Sequence, residues 1–325
     1  MKILIYSFND KLGDGLQKVS FIQNVKKSFP NSSITYTTTQ KTTFKDILNP
    51  LVNDYIDEII EDNGVNSSFF DLFKKNKKFK GYYFDIIIDL QKVVLRSLNL
   101  KKIPHSKFFS ACANFIFSDI KNEFNLRFKN IYIEQFYFNI ISLITKKNIQ
   151  TVSDFYIPKI DIKNLRSSNK INVGIAPGAG DPIREWGYEN YIEIAKFLRQ
   201  KNYEVFFFLG PNEKRYLDNC LKNGFDCPGW ENGKMKSNNI LHTLNLAKQM
   251  DCLLCNDGGT SWIFEFAGIH TFKIFGVTSE RKFARPNFST TIQVKDHGFE
   301  TLQSFPVELY KMLLTKFLNK NFKSI

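Results

Sequence analysis

The sequence lacks any segment that could cross a membrane as a helix. No apolar run reaches about 18 residues, and the opening MKILIYSF becomes polar too soon to serve as a signal peptide. The five cysteines, at positions 112, 220, 227, 252 and 255, form no even disulfide framework in a chain of 325 residues. These absences predict a cytoplasmic protein with reduced thiols.

The sequence also has little that could hold a metal. Cys252 and Cys255 form a CxxC motif, but it lies inside the apolar run DCLLCND, which is typical of a buried strand. Neither a second cysteine pair nor a nearby histidine accompanies it. No Asp-x-Asp motif occurs, so a metal-bridged diphosphate has no evident ligands. We therefore expect core cysteines, no metal and no cofactor.

The charge of the chain is strongly basic but evenly spread. Lys and Arg total 45 against 32 Asp and Glu, which gives a net charge of +13. Residues 1–165 carry 24 basic and 16 acidic side chains, and residues 166–325 carry 21 and 16. Nucleic-acid binding would favour a concentrated basic stripe and a recognisable module. We therefore expect no nucleic acid, and phosphorylated substrates or anionic membranes remain as partners.

Short apolar runs alternate with helical stretches in both halves of the chain, which predicts parallel sheets covered on both faces. The predicted strands are residues 2–6, 33–38, 56–62, 83–90, 171–177, 204–210, 251–257, 271–276 and 291–296. The predicted helices are residues 15–29, 44–52, 111–120, 137–145, 188–200, 213–222 and 307–318. Two doubly wound α/β domains are expected, residues 1–160 and 161–325, facing one another across a cleft.

Two further segments stand out between these elements. The polar, aperiodic stretch 154–170 is the natural linker. The run FKKNKKFK at 73–80 holds five lysines, which favours a solvated helix end or loop over a lipid- or phosphate-binding patch. The chain contains 33 phenylalanines, many of them in residues 107–150. That stretch either faces a lipid-linked ligand or, as the favoured interpretation, fills a core.

The first loop of chemical interest is NDKLGDG at 9–15, directly after the first strand. Gly13 would permit a sharp turn, and Asp14 would then stand just before a helix at the mouth of the cleft. Asp14 is equally well explained as a helix N-cap. A dinucleotide-binding loop is disfavoured because Lys18 occupies the last glycine position of GxGxxG.

The second loop is APGAGDPIREW at 176–186. Gly178 and Gly180 would let backbone N–H groups approach an anion, and Arg184 could hold a phosphate in a bidentate way. Ile183 stands where a dinucleotide fingerprint requires glycine, which disfavours a dehydrogenase. Alternatively, this is a flexible surface loop.

The third loop, within CNDGGTSWIFEFAG at 255–268, runs from a strand into a helix. The N–H groups of Gly258, Gly259 and Thr260 would stand at the helix N-terminus, where a pyrophosphate is favoured, and Asp257 could orient the loop or a sugar hydroxyl. Alternatively, Thr260 or Ser261 caps this helix.

A fourth loop, FLGPNEK at 208–214, follows another predicted strand. Glu213 stands three residues after Gly210, where it could accept hydrogen bonds from ribose hydroxyls. Alternatively, Glu213 merely decorates the first turn of a helix.

Taken together, these segments resemble glycosyltransferase family nine, the ADP-heptose:lipopolysaccharide heptosyltransferases. The opening 36 residues are similar to that family's first strand, LGD loop and following helix. DIIIDLQKVVLRS resembles its DLQ…RS segment, and GIAPGAGDPIREW its PGAS…K-x-W loop. FLGPNE and CNDGGTSWIFEFAGIHTFKIFGVTSE resemble its G-x-x-E turn and GND[ST]G…AxxGxP…FGPT block. The motifs occur in the same order over nearly the whole chain.

The resemblance implies the GT-B fold, with an acceptor bound by the N-terminal domain and a nucleotide sugar by the C-terminal domain. It gives Asp14 the role of catalytic base. Arg184 stands where the family usually has Lys and keeps the positive charge beside the diphosphate. Glu213 becomes the ribose partner, and Asp257, Gly259 and Thr260 line the diphosphate and the sugar.

The function implied is inverting, metal-independent transfer of heptose from ADP-heptose to a lipopolysaccharide core or related cell-surface glycan. The acceptor would be lipid-linked or phosphorylated, and peripheral contact with the anionic cytoplasmic face of the inner membrane is a further expectation. The alternatives are a transferase with a different nucleotide sugar, a degenerate non-catalytic nucleotide- or glycan-binding protein, and a sugar-nucleotide epimerase.

The chain departs from the family pattern in the block after its third loop. Trp262 replaces a histidine, and Phe264, Glu265 and Phe266 replace small alanines, while FGPT becomes FGVT. Tryptophan cannot accept a hydrogen bond and is far bulkier than histidine. A reshaped sugar pocket is therefore expected.

Overall fold

The computed structural model describes residues 1–74, 76–149, 156–166, 169–237 and 239–322. The chain divides into two compact units, Met1–Tyr156 (unit 1) and Ile157–Ile325 (unit 2). The linker was predicted at residues 154–170. Of these, residues 154, 155, 167 and 168 lie outside the described residues, and residues 156–166 form neither helix nor strand.

Unit 1 is built on a five-stranded parallel sheet. Its strands are β1 (Lys2–Ser7), β2 (Ser33–Thr38), β3 (Glu58–Ile60), β4 (Phe84–Asp89) and β5 (His105–Ser110), in the spatial order β3-β2-β1-β4-β5. Ile3 of the central strand pairs with Ile34 on one side and Ile86 on the other. Both faces of β1 are buried, which is why its sequence reads as a continuous apolar run.

The helices of unit 1 cover the two faces of this sheet. They are α1 (Leu12–Ser28), α2 (Asn49–Val52), α3 (Val94–Lys101) and α4 (Ile133–Thr145). Helix α1 is buried on nearly all sides because α4 packs against it. The chain leaves α1 at Phe29, whose N–H donates to the Val25 carbonyl (3.0 Å), and Pro30 prevents continuation.

The predicted start of the first helix at residue 15 was wrong. Helix α1 begins at Leu12 with Lys11 as its N-cap, so Gly13 and Asp14 lie inside the first turn rather than before it. Neither a sharp glycine turn nor an Asp14 cap is needed. The strand-to-helix connection is instead fixed by Asp10, which pairs with Thr42 and accepts the Thr43 N–H on its carbonyl (3.2 Å).

The predicted helices at 44–52 and 111–120 were also wrong in large part. The first is a 3₁₀ turn at Thr43–Lys45 followed by the single turn α2. In the second, Ala113, Asn114 and Phe115 all adopt left-handed backbone angles (φ 47°, 55° and 66°), which cannot continue a right-handed helix. Strand β5, which precedes this segment, was missed because HSKFFS lacks a long apolar run.

Unit 2 repeats the architecture with a second five-stranded parallel sheet. Its strands are β6 (Asn172–Ala176), β7 (Glu204–Phe207), β10 (Cys252–Asn256), β11 (His270–Phe275) and β12 (Ser289–Gln293), in the order β12-β11-β10-β6-β7. A small hairpin, β8 (Trp230–Glu231) and β9 (Lys234–Met235), stands apart. The helices are α5 (Tyr188–Gln200), α6 (Leu217–Lys222), α7 (Ile240–Ala247), α8 (Gly259–Phe266), α9 (Glu280–Phe283) and α10 (Val307–Asn321).

The abundant phenylalanines are chiefly core residues, as the favoured interpretation predicted. In the Phe-rich stretch the buried members are Phe108, Phe109, Phe115, Phe128, Phe136 and Phe138. The five cysteines are free and buried, with Cys252 and Cys255 on β10. Across the described ranges, no three His, Cys, Asp or Glu side chains group as a metal site, and no helix is long and apolar enough to span a membrane.

Candidate active site

The chain order of the strands reverses once in each sheet, between β1 and β4 in unit 1 and between β6 and β10 in unit 2. Loops that leave the carboxyl ends of strands at such a point form the usual ligand-binding crevice of an open α/β sheet. The candidate residues follow this rule. Asp14 comes after β1, the Gly178–Arg184 loop after β6, and Asp257–Thr260 after β10.

The loop after β10 enters helix α8 without a side-chain cap. The N-cap is Gly258, in extended conformation, and α8 begins at Gly259. The alternative that Thr260 or Ser261 caps the helix was wrong, because both lie within it, and the Ser261 hydroxyl donates to the Gly258 carbonyl (2.7 Å). The first N–H groups of the helix are therefore left without a capping side chain among the described residues.

The loop after β6 packs directly on this helix start. A Cβ atom at Gly258 would lie 3.0 Å from the Cα of Ala179 and 3.2 Å from the Gly178 carbonyl oxygen. The structure therefore brings Gly178 and Gly258 together, and it leaves no room for a larger residue at position 258 without a backbone shift.

Asn256, at the end of β10, fixes the two loops to one another. Its amide donates to the Pro177 carbonyl (2.6 Å), and its oxygen accepts from the Trp186 N–H (3.1 Å) and the Tyr191 hydroxyl (3.1 Å). Sequence reasoning missed this residue. The signal was a polar side chain at the last position of an otherwise apolar strand, where a buried amide requires partners.

Arg184 ends a 3₁₀ turn, Pro182–Arg184, whose first N–H groups are capped by Asp181. Two residues later Trp186 is buried, donates its ring N–H to the Phe305 carbonyl (2.8 Å) and stacks on Tyr310 at 4.4 Å. Arg184 is half-buried, and its guanidinium has no hydrogen-bond or salt-bridge partner in the part of unit 2 that the structure describes. Its charge is therefore not taken up by another side chain among the described residues.

Glu213 lies against Gly178. A Cβ atom at Gly178 would come within 2.2 Å of the Glu213 Oε1, so a larger residue there would have to displace the Glu213 side chain. The other carboxylate oxygen accepts the N–H of Gly210. Burial and the neighbouring Glu185 raise the pKa of Glu213 despite that hydrogen bond. Glu213 thus both caps the turn Pro211–Tyr216 and faces the glycine loop.

Two other acidic residues complete this edge of unit 2. Glu185 accepts the Ala179 N–H (3.2 Å) and lies 3.6 Å from Arg215, so the Ala179 N–H is already occupied. Asp257 is 6% exposed, and its carboxylate makes no hydrogen bond to the described residues.

Asp14 is exposed in the first turn of α1, where the helix dipole favours a negative charge. Beneath it lies a buried ion pair that the sequence analysis missed. Asp10 accepts from the Lys18 ammonium, the Tyr36 hydroxyl (2.8 Å) and the Thr42 hydroxyl (2.9 Å). Burial alone would lower the pKa of Lys18, but the charge and hydrogen bond of Asp10, together with Tyr137 and Asp14, outweigh burial and raise that pKa. Lys18 is therefore a fixed cation beneath the start of the helix.

Asp89 is the second buried carboxylate of unit 1. It ends β4 and accepts from the Ser97 hydroxyl (2.5 Å), the Ser110 hydroxyl (2.9 Å) and the Gln91 N–H (2.8 Å). No cation within the described part of the chain forms an ion pair with it. Burial raises its pKa to about 6, against the opposing effect of these hydrogen bonds.

Trp262 lies within α8 and is only 4% exposed. The Lys273 ammonium lies 5.1 Å from the centre of its ring, and Lys273 forms a fully buried ion pair with Glu265 at 2.8 Å. Thr271 donates a further hydrogen bond to Glu265 (2.8 Å). Trp262 and Glu265, two of the departures from the family pattern, thus share Lys273 as a buried partner.

Comparison with known proteins decides the family. The model of glycosyltransferase family 9 (heptosyltransferase) matches residues 133–301, more than half of the chain. The chain belongs to glycosyltransferase family 9. The motif resemblance in the sequence is therefore confirmed, and this family 9 protein is a glycosyltransferase. A search of curated proteins found no match.

Solved structures support the fold. A glycosyltransferase family 9 protein from Veillonella parvula is 18% identical, with 98% of this chain and 97% of that chain covered and a TM-score of 0.66. E. coli ADP-heptose LPS heptosyltransferase II is 16% identical (98% and 99% covered, TM-score 0.59). E. coli heptosyltransferase WaaC with ADP-2-deoxy-2-fluoro heptose is 12% identical (97% and 99% covered, TM-score 0.66). This family 9 transferase therefore has the GT-B fold, with two Rossmann-like domains.

Proposed function

We propose that this transferase moves heptose from ADP-heptose onto a lipopolysaccharide core or a related cell-surface glycan, with inversion and without a metal. The observation that carries the proposal is the uncapped start of α8 packed against the Gly178–Ala179 backbone. Membership of the heptosyltransferase family and the ADP-sugar bound in the WaaC structure support ADP-heptose as the donor.

The donor diphosphate would lie at the N-terminus of α8. The N–H groups of Gly258, Gly259 and Thr260 and the positive end of the helix dipole would receive its oxygens. Arg184, without another partner in the described residues, would supply the full positive charge. Together they would offset the negative charge that develops on the leaving diphosphate, so the step needs no metal for that purpose.

The nucleoside and the sugar would contact the acidic residues around the same loop. Glu213 faces Gly178 with one carboxylate oxygen. This oxygen could accept a hydrogen bond from a ribose hydroxyl. Asp257, which lacks a hydrogen bond to the described residues, would accept from a sugar hydroxyl or orient the loop.

Asp14 of unit 1 would act as the catalytic base. It is exposed, and it lies in the first turn of a helix that follows the central strand. Direct displacement at the anomeric carbon requires removal of a proton from the acceptor hydroxyl, and a carboxylate can take that proton. A single displacement of this kind inverts the anomeric configuration.

The acceptor would bind on unit 1, where a basic cavity supports a phosphorylated glycan. A cavity of about 260 Å³ is lined in part by Lys92, Arg127 and Lys129. Its wall includes Asn114 and Phe115, two of the left-handed residues after β5, and strained backbone of this kind is often held at binding sites. A lipid-linked acceptor would bring the protein to the anionic cytoplasmic face of the inner membrane.

A transfer assay tests the proposal. Purified protein is incubated with ADP-heptose and heptose-free lipopolysaccharide core, and the product is examined by mass spectrometry and NMR. We expect addition of one heptose with inverted anomeric configuration. Transfer from another nucleotide sugar, but not from ADP-heptose, would contradict heptose as the donated sugar while still supporting a transferase. Retention of the anomeric configuration would contradict the role of Asp14.

A further inference from the structure

Three phenylalanines are exposed on one short turn of unit 1. Phe69, Phe70 and Phe73 belong to the 3₁₀ turn Phe69–Phe73, here called the phenylalanine turn, and are 59%, 75% and 77% exposed. The ring of Phe69 contacts the other two edge-on, with centroids 6.4 Å and 5.5 Å apart. A contiguous exposed aromatic patch of this kind marks an interaction surface rather than a core.

The phenylalanine turn is held by the fold behind it. Lys102 follows α3, and its ammonium donates to three backbone carbonyls. Two belong to the phenylalanine turn, those of Asp71 (2.6 Å) and Leu72 (3.0 Å), and the third is that of Lys74 (2.7 Å), directly after the turn. The amide of Asn99 on α3 also donates to the Asn66 carbonyl (3.0 Å). The rings are therefore presented to solvent by an anchored backbone.

A basic segment follows the phenylalanine turn directly. Lys74 and residues 76–80 (NKKFK), here called the basic segment, contain four lysines and no acidic residue. Lys77, Lys78 and Lys80 are exposed and form no salt bridge with the described residues. Phe79 between them is buried in the core that covers β4, so the segment is tied to the body of unit 1.

We propose that the phenylalanine turn and the basic segment dock this protein on an anionic phospholipid bilayer. This inference rests on the proposed function, which includes contact with an anionic membrane, and it identifies the protein surface that makes the contact. Aromatic rings favour the headgroup boundary, where their apolar faces leave water. Lysines beside them would pair with lipid phosphates, each contributing about 1 kcal/mol near such a surface. Asp71 is the single acidic residue in 69–80, and it already pairs with Lys74 (3.1 Å), so the charge complements a continuous anionic surface.

The first test is sedimentation of the full chain with vesicles. Phosphatidylethanolamine vesicles that contain phosphatidylglycerol are compared with phosphatidylcholine vesicles, using wild type and the triple variant Phe69→Ser, Phe70→Ser, Phe73→Ser. We expect wild type to bind the anionic vesicles, and the triple variant to bind them at least about tenfold more weakly. The matched control is Leu221→Ser with Met312→Ser, two exposed apolar residues of unit 2, which should leave binding unchanged.

A second variant separates the charge from the rings. Changing Lys74, Lys77, Lys78 and Lys80 to Gln should weaken binding by about fivefold per lysine and flatten its salt dependence. The control removes the same charge from exposed lysines of unit 2, at positions 196, 222, 295 and 316. Equal losses in both sets would mean that net charge alone attracts the protein, and would overturn the assignment of this surface.

Two further outcomes would overturn the proposal. One is that wild type and the phenylalanine variant bind anionic vesicles equally. The other is that wild type ignores vesicles but forms a dimer that the phenylalanine variant abolishes, which would make the surface a contact between copies of this chain. ADP binding by the same preparations reports on the proposed donor site, so failure of the docking surface and failure of the proposed function are distinguishable.

Discussion

At the carboxyl edge of its sheet, unit 1 carries two buried carboxylates and one exposed one. At the same edge, unit 2 combines acidic side chains with helix N–H groups that have no side-chain cap among the described residues. Unit 1 places buried Asp10 after β1 and buried Asp89 at the end of β4, the two strands at its reversal point, and leaves Asp14 exposed in the first turn of α1. Unit 2 places glycine-rich backbone and the uncapped start of α8 at the equivalent point, and Arg184 follows on the loop after β6.

The difference indicates a division of labour between two similar sheets. A carboxylate can accept a proton, and bare N–H groups with a free guanidinium can hold a diphosphate. Each substitution below either removes a side chain that belongs to one of these two edges or changes a residue that holds such an edge in its conformation.

Asp14→Asn should have the largest effect. Loss of a general base should lower turnover by about two to four orders of magnitude. Donor affinity should change little, because Asp14 belongs to unit 1 and the proposed diphosphate site to unit 2. Steady-state kinetics together with ADP titration checks this prediction, and unchanged turnover would remove Asp14 from its role.

Lys18→Met should be the most destabilising single change. It would leave Asp10 buried without its cation, at a cost of about 3–5 kcal/mol in the free energy of unfolding. Urea denaturation measures this cost. The exposed Lys27→Met is the matched control, and Asp10→Asn combined with Lys18→Met should recover part of the loss. Equal stability of Lys18→Met and wild type would show that the pair is not a structural support.

Asp89→Asn should change how stability depends on pH. The folded state raises the pKa of Asp89 from 3.8 to about 6, so it holds this proton more tightly than the unfolded chain. The contribution of Asp89 to stability should therefore fall by about 3 kcal/mol as pH rises from about 4 to about 6. The difference in unfolding free energy between wild type and Asp89→Asn, measured across that range, should show this slope. A flat difference would contradict the assignment.

Gly258→Ala should weaken ADP binding by about tenfold. Its backbone is extended and suits any residue, so the effect would come from the added Cβ, which meets the Ala179 backbone and shifts the two loops apart. Gly229→Ala is the matched control, because no atom lies within 4 Å of the added Cβ there. Calorimetric titration with ADP compares them, and equal affinities would separate this contact from nucleotide binding.

Much of the fold could be predicted because buried parallel strands read as apolar runs. The five strands of the parallel sheet of unit 2 and helix α5 are confirmed in place, with differences at strand ends, whereas the hairpin β8–β9 was missed. Strand β5 was hidden because half of it is exposed, and helix α1 starts early because a backbone bridge at Asp10, invisible in the sequence, sets its entry. The left-handed run Ala113–Phe115 follows no sequence rule, since only Asn114 favours that conformation.

The sequence motifs made it possible to predict which loops contribute residues to the candidate site. They did not predict which residues from different loops contact one another. The structure joins Gly178 to Gly258 and Glu213, which the loop motifs had brought to notice separately. The linking role of Asn256 and the Asp10–Lys18 pair depend on contacts between separate elements. The catalytic and binding roles of the predicted residues stay predictions.

The most direct test of the account is a calorimetric titration of ADP into wild type, Arg184→Ala and Arg184→Lys. The account predicts that wild type binds ADP, that Arg184→Ala binds at least about tenfold more weakly, and that Arg184→Lys recovers most of the affinity. Arg166→Ala, which removes an exposed arginine of unit 2, should behave as wild type. Equal affinity in wild type and Arg184→Ala, or no ADP binding by wild type, would contradict the claim that this edge of unit 2 holds the donor diphosphate.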